Sequence, residues 1–289
     1  MNSTGKEHYF IARPSPWPLV TAVGLFLLLG GFGLLLHGGS MLASLLGAAI
    51  LLYAVTRWFG QVIGENQSGC YNDQVNRSFR QGMVWFIFSE VMFFGAFFGA
   101  LFYLREFAVP WLGGQGAKGA AHLLWPQFVA HWPLLEMPVS SDFDVPRAAM
   151  GPVGIPAFNT AVLLTSGLTV TLAHWALKRD QRSRLSGWLL ATILLGILFI
   201  GLQAHEYWHA YRDLLLTLHS GVYGSTFYLL TGFHGLHVTL GVIMLAVILG
   251  RVLKGHFTPV EHFGFEAVSW YWHFVDMVWL VLYLFVYWW

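Results

Sequence analysis

The chain has 289 residues, of which 56% are hydrophobic and only 10% are charged, with a formal net charge of +1 and Cys70 as the single cysteine. Soluble globular proteins carry about 25% charged residues, so this composition excludes a chain that faces water on all sides and indicates an integral membrane protein. The small net charge argues against nucleic acid as a partner, and a single cysteine excludes an internal disulfide and argues against thiolate zinc or iron–sulfur sites.

Two apolar helices are predicted near the start of the chain. Residues 1–16 are polar and rich in proline, without a signal-peptide cleavage site, and are interpreted as a retained tail on the cytoplasmic side. No Asp, Glu, Lys or Arg occurs over residues 14–56, a length sufficient for two membrane crossings of about 20 residues each. The HGGS sequence at 37–40 is typical of a turn, so the helices are predicted near Pro18–Leu36 and Met41–Ile63.

Five further apolar stretches complete a prediction of an all-α membrane protein with seven transmembrane helices. They cover about Gly82–Tyr103, Pro156–Leu177, Ser186–Ala210, Gly221–Gly250 and Glu266–Trp288. The predicted organisation is a tail over 1–16, helices one and two over 17–65, helix three over 80–106, a loop over 107–154, and helices four to seven over 155–289. The loop has no sustained apolar periodicity, so we expect no separate domain there.

The distribution of Lys and Arg predicts the orientation of these helices, because cytoplasmic segments are enriched in both residues. With the N-terminus in the cytoplasm, eleven of the fifteen fall in inner segments, and four fall in outer ones: Arg105, Lys118, Arg147 and Arg212. The sequence therefore predicts a cytoplasmic N-terminus, a periplasmic C-terminus and a periplasmic loop over 107–154.

The stretch QAHEYWH at 203–209 contains the H-E-x-x-H pattern of zinc metallopeptidases. In such an enzyme His205 and His209 would bind the metal and Glu206 would activate a water molecule. A third protein ligand is missing, since Asp276, the only aspartate deep in a predicted span, stands in an unrelated setting. The favoured interpretation is a polar cluster within reach of water at the outer end of helix five, with a structural or catalytic metal site as the alternative.

Glu90 is the only charged residue between Gln81 and Leu104, in the sequence FIFSEVMFFGAFF. An ionised carboxylate at that depth costs on the order of 3 kcal/mol or more, so we expect the neutral acid. Two roles stay open, a hydrogen bond to a neighbouring helix and a proton-linked or lipid-facing site. Gly95 and Gly99 follow in the GxxxG spacing that is typical of close helix packing.

Two pairs of polar residues stand about one helical turn apart in later spans. His234 and His237, in TGFHGLH, are interpreted as structural hydrogen-bonding residues, with haem or copper ligation as the alternative. His273 and Asp276, in WHFVD, are interpreted as a pair satisfied within or between helices, with contact to a partner subunit as the alternative.

Several of these motifs together resemble the cytochrome c oxidase subunit III family. They are PSPWP at 14–18, SEVMFF at 89–94, GVYGSTF at 221–227, TGFHGLH at 231–237, and HFGFEA at 262–267 running into WYWHFVDMVW. The resemblance extends from about residue 14 to residue 289 and is interrupted by the loop over 107–154. It implies a two-arm bundle, helices one and two against helices three to seven, with a V-shaped cleft that binds phospholipid.

The resemblance also implies a function and partners. Such a chain is a non-catalytic subunit of a proton-pumping cytochrome c oxidase in the bacterial plasma membrane, where it stabilises subunit I and supports proton uptake there. It carries no redox centre and no metal of its own; haem a, haem a3, CuA and CuB are expected in subunits I and II, and cytochrome c is expected as the electron donor. A stand-alone transporter with Glu90 as its proton site is a weaker alternative, because no inverted repeat is evident.

Residue by residue, the resemblance assigns an intramembrane carboxylate to Glu90. The lipid-binding group that it implies comprises Trp58, Phe86, Glu90 and Arg251. Glu206 coincides with a glutamate of the family's helix five, which makes the zinc-like pattern fortuitous. The end of helix two departs from the family, because Gly60 and Gly64 stand where arginines are usual, and this weakens the expectation of cationic headgroup contacts there.

Overall fold

The structure, a computed structural model, describes residues 14–116 and 121–289. These residues form helices, turns and connections, and none of them forms a β-strand. Within these two ranges, seven helices are long and apolar enough to cross a membrane, which confirms the prediction of an all-α membrane protein. We number them α1 (Trp17–Leu36), α2 (Leu42–Gln67), α3 (Asp73–Tyr103), α4 (Ile155–Lys178), α5 (Arg182–Arg212), α6 (Gly221–Leu253) and α7 (Phe263–Leu282).

The chain divides into two compact units, Met1–Gln81 and Gly82–Trp289. In the first unit, α1 and α2 form a helical hairpin. Gly38 ends α1 with a φ of +79°, and the N–H of Gly39 donates to the Leu34 carbonyl at 2.8 Å, which is the usual glycine cap of a helix C-terminus. Gly31 faces the backbone of α2, where a Cβ on this residue would meet the carbonyl carbon of Ala43 at 2.8 Å. The missing side chain lets the two backbones approach closely, as small residues do in membrane helices.

In the second unit, α4 to α7 close into a ring of four helices, since each packs on the next and α7 packs back on α4. Two buried tryptophans of α7 fill the centre of this ring. Trp272 donates its indole N–H to the Ser166 hydroxyl at 3.0 Å, and Trp279 donates to the Thr160 hydroxyl at 2.9 Å. Buried indole groups need such acceptors, so these bonds fix the register of α7 against α4.

The part of α3 in the second unit joins the ring mainly through aromatic side chains. Phe93 lies edge-on to Phe233 with ring centroids 5.1 Å apart, and Phe94 lies 6.2 Å from Phe274. Short connections join α4 to α5 and α6 to α7, so α4 and α6 end on the side of the unit where α5 and α7 begin. We call this side the Lys178 end. The opposite side, where α3, α5 and α7 end, is the Trp289 end.

The helices differ from the sequence prediction mostly at their polar ends. Helix three begins at Asp73 rather than near Gly82 and continues through a π-helical segment over Leu104–Ala108. Hydropathy measures the stretch that suits lipid, so it underestimates a helix whose first turns are polar. A second π-helical segment, Tyr283–Trp288, follows α7.

The described part of the 107–154 loop folds onto the Trp289 end. The N–H of Asp144 donates to the His219 carbonyl at 3.1 Å, and the N–H of Arg147 donates to the Leu214 carbonyl at 2.8 Å. Its described residues include the short α-helices Val109–Leu112 and Ala121–Leu124 and the 3₁₀ turn Ser140–Asp142.

Candidate functional site

Glu90 and His237 form a polar contact between two helices of the second unit. Oε2 of Glu90, on α3, lies 2.8 Å from Nε2 of His237, on α6. The two side chains are only 21% and 11% exposed. The carboxyl group that the sequence marks as anomalous therefore has a hydrogen-bond partner on a neighbouring helix.

The hydrogen bonds of His237 determine how many protons the pair holds. Its Nδ1 lies 2.6 Å from the Phe233 carbonyl oxygen, so Nδ1 carries a hydrogen and donates it. Nε2 then either accepts a hydrogen bond from a protonated Glu90, or donates as part of an imidazolium to a carboxylate. Both arrangements contain the same number of protons and have no net charge. A neutral pair avoids the cost of an isolated charge in the membrane.

Phe86 belongs to the same cluster. Its ring stacks on that of Tyr271 with centroids 6.2 Å apart, and the Tyr271 hydroxyl donates to the His237 carbonyl at 3.3 Å. The structure thus brings Phe86 close to Glu90, one helical turn away on α3. Trp58, the other aromatic residue of the lipid-binding group, lies in α2 of the first unit and is 38% exposed.

Arg251 lies at a different depth from this cluster. It belongs to the last turn of α6, at the Lys178 end, and its half-buried guanidinium lies 4.3 Å from the ring centre of Phe257. Arg251 is separated from His237 by about 21 Å of helix, at 1.5 Å per residue. Half of a bilayer, with its headgroup region, is about 20–22 Å thick, so this length is comparable to the distance from the membrane centre to a lipid headgroup.

His234 and His273, two other histidines that the sequence singles out, connect helices of the ring. The Nε2 of His234 donates to the Val275 carbonyl on α7 at 3.2 Å, and its ring contacts those of Phe199 and Trp279. His273 lies 3.6 Å from Asp276, through Nδ1 and Oδ2, and its Nε2 lies 3.2 Å from the Thr171 hydroxyl on α4. This geometry supports the interpretation of these residues as links between helices.

The alternative of a zinc site at HEYWH is not supported, because its two histidines are exposed whereas its glutamate is buried. His205 and His209 are exposed, and His209 is paired with Asp213 through Nδ1 and Oδ2 at 2.6 Å. Glu206 is only 1% exposed and points into the ring. A glutamate that activates metal-bound water must lie beside the metal. The expectation that Glu206 reaches water is wrong.

Glu206 instead forms a buried contact that the sequence analysis missed. Its Oε1 accepts a hydrogen bond from the Tyr287 hydroxyl at 2.6 Å. A signal was available in the sequence: Phe199, Gln203, Glu206 and Ala210 recur at helical spacing, and all four are buried. Helical periodicity therefore places Glu206 on the core face of α5, about 100° away from His205.

A polar network occupies the end of α2, where the sequence departs from the family. The Glu65 carboxylate accepts hydrogen bonds from Gln61 Nε2 and from the Tyr71 hydroxyl, each at 2.9 Å, and Trp17 Nε1 donates to Gln61 Oε1 at 3.0 Å. Burial, together with the bond to Glu65, raises the pKa of Tyr71 above its ordinary value, so the phenol stays protonated at neutral pH. The network ties the start of α1 to the end of α2.

The fold and the site define a class of protein: a multi-pass membrane protein whose buried polar groups link its helices. Among residues 14–116 and 121–289, no group of three or more His, Cys, Asp or Glu side chains is placed to hold a metal ion.

Comparisons with known proteins identify the family. The cytochrome c oxidase subunit III profile matches residues 7–289. The proteins named cytochrome c oxidase subunit 3 from Danio rerio and Latimeria chalumnae are each 42% identical to this chain over 282 residues, and the one from Bos taurus is 40% identical. Each alignment covers 97% of both chains. The chain therefore belongs to the cytochrome c oxidase subunit III family, as its motifs indicate.

Proposed function

We propose that this chain is a non-catalytic subunit of an aerobic respiratory cytochrome c oxidase that binds phospholipid, stabilises subunit I and supports proton uptake by subunit I. The observation that carries the proposal is the use of its intramembrane polar groups: Glu90 pairs with His237, and Glu206 with Tyr287. These pairs link helices that are far apart in the sequence. Haem a, haem a3, CuA and CuB would then reside in subunits I and II, which receive electrons from cytochrome c.

Phospholipid binding is the part of this function that the second unit supports most directly. Arg251 offers a cation near a helix end, and guanidinium groups bind phosphate through paired charge-assisted hydrogen bonds. Phe86 and the neutral Glu90–His237 pair lie nearer the middle of their helices, where acyl chains would pass. Trp58 of the first unit would add an aromatic group of the kind enriched at membrane interfaces.

The setting we propose is a bacterial plasma membrane, with the N-terminus in the cytoplasm and the C-terminus in the periplasm. The asymmetry of Lys and Arg along the sequence supports this orientation. The Lys178 end of the second unit would then face the cytoplasm, where proton uptake by subunit I takes place.

Purification through an affinity tag on this chain, in a mild detergent, tests the assignment to an oxidase. We expect larger subunits to co-purify, together with haem a absorption and oxygen consumption driven by reduced cytochrome c. A tagged, unrelated seven-helix protein from the same membranes is the control. Recovery of the chain alone, without haem a, would refute the proposal.

Replacement of Arg251 tests the lipid site. We expect Arg251→Ala to lower the amount of anionic phospholipid retained per haem a in the purified complex, because the phosphate loses its charged partner. Arg179→Ala removes an exposed cation at the same end of the unit and serves as the control. Equal lipid content in the two variants, measured by mass spectrometry, would exclude Arg251 as a headgroup ligand.

A further inference from the structure

A crevice of about 380 Å³ opens at the Trp289 end of the second unit, between the last turns of α3 and the segment that follows α7. Phe98 and Phe102 line one wall, and Val281 and Phe285 line the other. Its volume falls within the range of about 300–1,000 Å³ that is typical of small-molecule sites. The lining is almost entirely apolar, which excludes a polar solute as the occupant.

Gly99 leaves one wall of this crevice open. A Cβ on Gly99 would meet no other atom within 4 Å, so the glycine does not serve close packing with another helix of this unit. Both sides of the crevice also include π-helical segments, Leu104–Ala108 and Tyr283–Trp288. Such segments are uncommon, and they frequently occur at functional sites.

One cation, Arg105, lies at the mouth of the crevice. Its guanidinium carbon lies 4.4 Å from the ring centre of Trp289, and its Nε lies 3.5 Å from the Glu106 carboxylate. That distance is too long for a strong hydrogen bond. A guanidinium group can bind a phosphate through two parallel hydrogen bonds, and Arg105 places such a group beside the apolar lining of the crevice.

From these features we propose that the crevice binds an anionic phospholipid, with an acyl chain between the aromatic walls and the phosphate on Arg105. The apolar lining matches an acyl chain, and the cation at the mouth matches a negatively charged headgroup near the end of a span. A zwitterionic headgroup would bring its own cation close to Arg105 and is expected to bind less well. The site lies at the opposite end of the unit from Arg251, so its failure would leave the proposed function intact.

Photo-crosslinking in the intact complex tests this site. The complex is reconstituted into nanodiscs that contain phosphatidylglycerol with a diazirine on its acyl chain, and the labelled peptides are mapped by mass spectrometry. We expect labelling within residues 98–105 and 281–289. Arg105→Gln removes the charged contact and should reduce this labelling about tenfold, the equivalent of one charge-assisted hydrogen bond. Gly99→Leu fills the crevice and should reduce the labelling at least as much.

Two matched variants serve as controls. Gly82→Leu adds the same side chain to α3, at a glycine that also has no neighbour within 4 Å of a Cβ but lies far from the crevice. Arg212→Gln removes another cation at the Trp289 end, one whose guanidinium lies over Trp208 at 4.1 Å. Both should be labelled like the unmodified chain.

Three outcomes would overturn the proposal. Unchanged labelling in Gly99→Leu would place the lipid outside the crevice. Equal labelling by the matching phosphatidylcholine probe would remove the preference for an anionic headgroup. Contact of residues 98–105 with another polypeptide of the complex, in place of lipid, would show that a partner helix fills the crevice.

Discussion

A contact in the first unit and the buried contacts of the second unit illustrate two ways in which membrane helices are held together. In the first unit, α1 and α2 approach backbone to backbone at Gly31. In the second, the helices are linked by buried side chains, including Trp272 with Ser166 and Glu206 with Tyr287. Because lipid tails are as apolar as leucine, burial of apolar surface gives little reason for helices to associate in a membrane. Close packing and hydrogen bonding are the two remaining solutions. The α1–α2 contact at Gly31 is an example of the first, and the buried pairs of the second unit are examples of the second.

The two kinds of helix contact differ in how well they tolerate mutation. A backbone contact has no side chain that can move aside, so any added atom separates the helices. A hydrogen-bonded contact can lose one partner and still keep its packing, at the cost of one unsatisfied polar group. A substitution at the backbone contact of Gly31 is therefore expected to lower stability more than a conservative substitution at a hydrogen-bonded contact of the second unit.

The largest effect is expected at Gly31. Gly31→Val would place side-chain atoms against the backbone of Ala43 and Ser44, which should cost about 3 kcal/mol or more and separate α1 from α2. Hydrogen exchange of residues 17–67, measured by mass spectrometry in mild detergent, should show lost protection. Gly33→Val is the control, since a Cβ there meets nothing within 4 Å. Equal protection in both variants would refute backbone packing as the basis of the hairpin.

A smaller loss of stability is expected at Tyr287. Tyr287→Phe removes the donor to the buried Glu206, and the unsatisfied carboxyl should lower the unfolding free energy by about 1–3 kcal/mol. Thermal unfolding of the purified complex followed by circular dichroism measures this, with the exposed Tyr211→Phe as control. The double variant Tyr287→Phe, Glu206→Leu should recover part of the loss, because both polar partners are then absent. Purely additive losses would show that the two side chains are not coupled.

The smallest effect is expected for Glu90→Gln. The amide can still donate to Nε2 of His237, so assembly and oxygen consumption should stay within about twofold of the unmodified complex, equivalent to roughly 0.4 kcal/mol. Glu90→Leu leaves Nε2 without that donor, and it should lower the thermal stability more than Glu90→Gln does. Loss of oxygen consumption in Glu90→Gln with normal assembly would instead indicate that the ionisable group itself is required.

The seven helices could be predicted because apolar length is a local property of the chain. Glu90 could also be recognised from the sequence as an unusual membrane residue, because its apolar neighbours along the chain are visible there. Its partner His237 could not, because a contact across 147 positions depends on how α3 and α6 pack. The wrong expectation that Glu206 reaches water has another origin. Its place near the outer end of helix five was given more weight than helical periodicity, which puts Glu206 on the same face as the buried Phe199, Gln203 and Ala210.

The sequence by itself determined the membrane class, the number of spans and the family, because composition, hydropathy and consecutive motifs are read along the chain. Only the tertiary structure decided which polar groups meet, that Glu206 is buried against Tyr287, and that Gly99 and Arg105 flank an open crevice. The physical reason is that hydrogen bonds and cavities depend on distances between helices, and those distances are set by packing of side chains far apart in the chain.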